Sequence, residues 1–165
     1  MAQHDLIART AERRPHAFLR PVNVAALLRA AQACALREAG ADVTIEVDES
    51  VHVPADEATL LSAVGALIAR AGELTPGRRI FLSGRAIERG VVIEVETEGA
   101  LSDAGARTGS LWRRLASVKA AVEGMGGEAH WSTGAERTGA FVLMFRAPSE
   151  PSSLAQRAAL RPGAT

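Results

Sequence analysis

The hydrophobic period of this chain keeps switching, and that alternation limits the folds open to it. "VAALLRAAQACALREAG" repeats Leu27, Ala31, Cys34 and Ala35 at helical spacing, and Gly40 stops the run. Asn23 precedes it as a candidate N-cap, at the end of a short strand in "AFLRPVNV" (17–24). "DVTIEVDES" changes to period two through Val43, Ile45 and Val47, and "VHV" is a second short strand before Pro54. From Asp56 the helical period returns through Leu60, Val64, Leu67 and Ala71, until "TPG" ends it. "RRIFLSGRAI" and "GVVIEVETEG" read as strands, and the short Glu88-Arg89-Gly90 link makes them a hairpin.

Residues 100–109 read as a surface loop, having one large apolar residue among turn formers. A third helix then sets Leu111, Leu115, Val118 and Val122 in register. It runs into Gly126 and Gly127 and a strand carrying His130 and Trp131. "GEAHWSTG" and "TGAFVLMFRAP" form a closing hairpin. The order predicts a two-layer α/β sandwich, with a mixed, mostly antiparallel sheet covered on one face by three helices. Residues 1–16 read as a polar N-terminal arm, 17–148 as the domain, and 149–165 as a C-terminal tail.

Composition narrows the function classes. A chain of 165 residues fits one domain of the usual ~100–200. Lys+Arg and Asp+Glu are 19 each, so no net field draws the chain to nucleic acid or to an anionic membrane. Lys119 is the only lysine. Cys34, the only cysteine, allows no intrachain disulfide, and a reducing compartment is expected. The charged start has no signal-peptide run and no stretch approaches ~20 apolar residues, so the expectation is a soluble cytoplasmic protein.

Five local words, in this order and at these separations, resemble the ATP-binding catalytic domain of sensor histidine kinases, the Bergerat fold. "RPVNVAALLRAA" is similar to its opening strand and helix, and "DEATLLSAVGALIARAGELTPG" to the helix carrying its Asn box. "VVIEVETEG" resembles the strand leading to its Asp-x-Gly-x-Gly box. "LASVKAAVEGMGGEAHWST" resembles its Leu-x-x-Val-Lys…Gly-Gly helix and strand, and "TGAFVLMFRAP" its Gly-Thr-x-Phe…Pro closing strand. The resemblance covers residues 18–148 and implies an ATP pocket holding Mg²⁺.

At the pocket positions the chain departs from that pattern. Alignment puts Arg70 where the family has the Mg²⁺-holding Asn, and Ala66 where an acid or histidine stands one turn earlier. A guanidinium has no lone pair to offer a hard cation, and alanine is no general base. Thr97 replaces the Asp that accepts from the adenine amino group; Gly99 matches the first glycine and Leu101 replaces the second. Trp112 and Arg114 stand where lid glycines bring backbone amides to the phosphates. Glu73 is a further pocket position.

The resemblance therefore implies a degenerate domain in bacterial two-component-type signalling, a pseudokinase with no catalytic residue, metal ligand or cofactor. Its expected work is to bind a protein, either a response-regulator receiver domain or a kinase. The alternative is a kinase of the same fold, histidine or anti-sigma-like serine, binding ATP with or without Mg²⁺; Arg70 or Arg114 would then neutralise phosphates.

Other candidates are weaker. Trp112, Arg113 and Arg114 form a candidate partner-binding patch, since Trp and Arg dominate interfaces. His4, in His4-Asp5-Leu6, resembles the start of a phospho-acceptor box, although the helical hairpin that carries such a histidine has no counterpart here. His16, His52 and His130 lack metal-ligand spacing, and Ser83, Ser102 and Ser110 lack a nucleophile elbow. Cys34 is expected to be a small core residue.

Overall fold

The computed structural model describes residues 19–39, 41–98, 109–132 and 138–147. In chain order the elements are β1 (Arg20–Asn23), α1 (Val24–Ala39), β2 (Val43–Val47), β3 (His52–Ala55), α2 (Glu57–Leu74), β4 (Ile80–Ile87), β5 (Gly90–Glu98), α3 (Gly109–Gly124), β6 (Gly127–Ser132) and β7 (Thr138–Arg146). Five strands form a sheet in the order β2-β4-β5-β7-β6. All its pairs are antiparallel except β2 with β4. A parallel pair needs a crossover connection, and β3 and α2 provide it.

The helices begin where side chains can satisfy their first amides. Asn23 Oδ1 accepts from Ala26 N at 2.8 Å, while its Nδ2 donates to Glu49 O at 2.7 Å and ties the start of α1 to the β2–β3 turn. Asp56 does the same for α2, accepting from Thr59 N at 2.8 Å. Hydrogen bonds from the Thr59 hydroxyl and amide hold the Asp56 carboxyl below the usual aspartate range.

The core lies between sheet and helices. Val91, Ile93, Val95 and Thr97 of β5 and Phe141, Leu143 and Phe145 of β7 turn inward, while Glu94 and Glu96 take the other face. They meet Leu27 and Leu28 of α1, Leu60, Val64 and Leu67 of α2, and Leu115, Val118 and Val122 of α3. Each such large side chain contributes roughly 1.5–3 kcal/mol on burial. The expected registers therefore stand for α2, for Leu27 and Ala31 in α1, and for Leu115, Val118 and Val122 in α3.

The paired glycines after α3 have different reasons. Gly126 has φ 80°, a left-handed conformation that lets the chain reverse from helix to strand. At Gly127 the constraint is space: a Cβ there would lie 2.8 Å from Phe145 Cε1 and 2.9 Å from Met144 O.

The structure corrects local details. β1 and β3 pair only with each other, as a separate two-stranded sheet. β3 continues through Pro54, opposite Pro21, to Ala55. A ribbon with two free edges tolerates prolines that a central strand would not. Cys34 is half-buried, not a full core residue, and its Sγ accepts from the Arg37 guanidinium at 3.3 Å.

Candidate functional site: the nucleotide-pocket positions of α2 and β5

A straight helix cannot bury all its faces, and α2 divides its residues accordingly. Leu60, Val64, Leu67 and Ala71 face the sheet. Ala66, Arg70 and Glu73 occupy another face, one turn or less apart. Ala66 is half-buried and lines a cleft of about 420 Å³ between α2 and α3 with Thr59, Ser62, Ser117 and Ala121.

Arg70 is only 4% exposed, and its Nη1 lies 3.1 Å from Glu73 Oε2. Glu73 keeps its own side chain 45% exposed. The guanidinium has only donors and no lone pair to offer a cation. Two unit charges 4 Å apart interact by roughly 4 kcal/mol at an effective dielectric of about 20. A divalent cation beside Arg70 would meet repulsion of that order per unit charge, offset in part by Glu73.

Thr97 sits on the inward face near the end of β5, fully buried, paired with Ile80 and Gly139. Its hydroxyl donates to Gly139 O at 3.4 Å. What it offers a ligand is one neutral oxygen on a short arm, not a carboxylate. Arg70 and Thr97 thus lie on elements that pack together, α2 and β5.

Gly99, Leu101 and His4 lie outside the described residues. Trp112, Arg113 and Arg114 fall in the first part of α3, with their side chains outside the description. His52 and His130 lie on different strands, β3 and β6, and His130 Nε2 is 3.4 Å from Glu128 Oε2. Among the described residues no group of His, Cys, Asp and Glu is placed to hold a metal ion, and no helix is long and apolar enough to cross a membrane.

Sequence reasoning missed a cavity of about 590 Å³ between α1 and α2, whose walls include Ala31, Cys34, Gly65, Ile68, Gly72 and Glu73. Its only trace in the sequence is two glycines inside a helix, where they weaken helical propensity.

No protein-family profile and no curated protein matches the sequence. Solved structures do. The histidine kinase AdeS of Acinetobacter baumannii is 15% identical, with 86% of this chain and 72% of that chain covered and a TM-score of 0.65. The ATP-binding domain of PrrB from Mycobacterium tuberculosis is 27% identical, covering 81% of this chain and all of its own, at a TM-score of 0.65. Full-length ShkA in complex with AMPPNP is 22% identical, covering 86% of this chain and 34% of its own, at a TM-score of 0.66.

The chain is an α/β sandwich with the Bergerat fold. Within that class it has the fold of the histidine kinase catalytic, ATP-binding domain, as its sequence words suggest.

Proposed function

We propose that this is a degenerate histidine-kinase-type ATP-binding domain that acts as a protein-binding module in two-component-type signalling. One observation carries the reading: at the position where the family holds Mg²⁺ through an Asn oxygen, a guanidinium is buried and ion-paired to Glu73. A hard cation needs oxygen lone pairs, and this position supplies positive charge. Ala66 adds no proton acceptor. Thr97, the counterpart of the adenine-binding Asp, is neutral and donates to Gly139 O.

The scaffold argues for use of the surface. The α2 stripe and the described parts of the α1 and α3 stripes are packed, and α1 and α2 are anchored at their starts, so the domain is built to persist without ligand. The partner is a receiver domain or a kinase, as the histidine kinases of similar fold suggest, and Trp112, Arg113 and Arg114 are the contact patch.

Calorimetric titration of ATP into the purified protein, with and without Mg²⁺, tests the reading. The expected result is no metal-dependent binding. Magnesium-dependent affinity of tens of micromolar, roughly −6 kcal/mol, would overturn it in favour of a kinase. Binding that is equally strong without metal would favour a site in which Arg70 or Arg114 replaces the cation.

A further inference from the structure

We draw no further inference here: the strongest candidate, the cleft between α1 and α2 at Ala31, Gly65, Ile68 and Gly72, is lined by small residues, its carboxylates Asp42 and Glu73 are already ion-paired to Arg79 and Arg70, and nothing in the structure shows what covers it.

Discussion

The two faces of α2 obey different rules. On the sheet-facing side Leu60, Val64, Leu67 and Ala71 are essentially inaccessible and form one stripe against β4 and β5. On the other side stand Ala66, Arg70 and Glu73, at positions that the sequence resemblance aligns with an acid or histidine and an Asn. Folding asks the first face only for volume and apolarity, which many side chains supply. Chemistry asks the second for oxygen lone pairs at fixed places, which very few supply. One helix can therefore keep its fold whatever its second face carries; here that face buries a charge at Arg70, ion-paired to Glu73.

The comparison can be broken most directly at its sheet-facing side. Leu67 is 1% exposed, and Leu67→Ala should cost about 2–5 kcal/mol, measured by urea denaturation. A smaller loss would mean that this face is not the structural one. Next in size, Gly127→Ala forces a methyl against Phe145 and Met144 O and should cost about 1–3 kcal/mol, read by the same denaturation; it separates glycines kept for packing from glycines kept for ligands.

On the pocket-facing side, Arg70→Asn replaces the cation with an amide oxygen. It should raise Mg²⁺-dependent ATP affinity about tenfold, or about 1.4 kcal/mol, by calorimetry. An unchanged titration would show that Arg70 is not what excludes the metal. The smallest effect concerns the α2 cap. Asp56 titrates below its ordinary value in the folded state, so its contribution is complete above the unfolded value of about 4 and is lost as pH falls through the folded one. Asp56→Asn keeps an accepting oxygen and does not titrate. The difference in melting temperature between the parent and this variant should therefore be constant from pH 7 to 5 and should shift against the parent below about pH 4.

Much of the fold was legible because its signals are local. The stripes of α2 and α3, the Asn23 and Asp56 caps and the strand from Val91 to Val95 each depend on residues within a few positions of one another. The β1–β3 ribbon was not legible, since it pairs Arg20 with Ala55 across a helix and a strand, and short strands carry no label for their partners. At the site, aligned words singled out Ala66, Arg70 and Thr97, and the structure adds that Arg70 and Thr97 are buried. The Arg70–Glu73 ion pair is at helical spacing but was not foreseen, because spacing alone does not say that the Arg70 side chain is buried. The α1–α2 cavity was least legible: small residues announce close packing and open space alike.

By itself the sequence determined the order and period of the elements and where α1 and α2 start, because backbone hydrogen bonding, capping and the partition of apolar groups act over a few residues. Only the tertiary structure decided that β2 runs parallel to β4, that Arg70 is buried against Glu73, and that α1 and α2 leave a cleft between them at Ala31, Gly65, Ile68 and Gly72. Each of those depends on segments distant in the chain meeting in space, and burial and electrostatics take their values only once they have met.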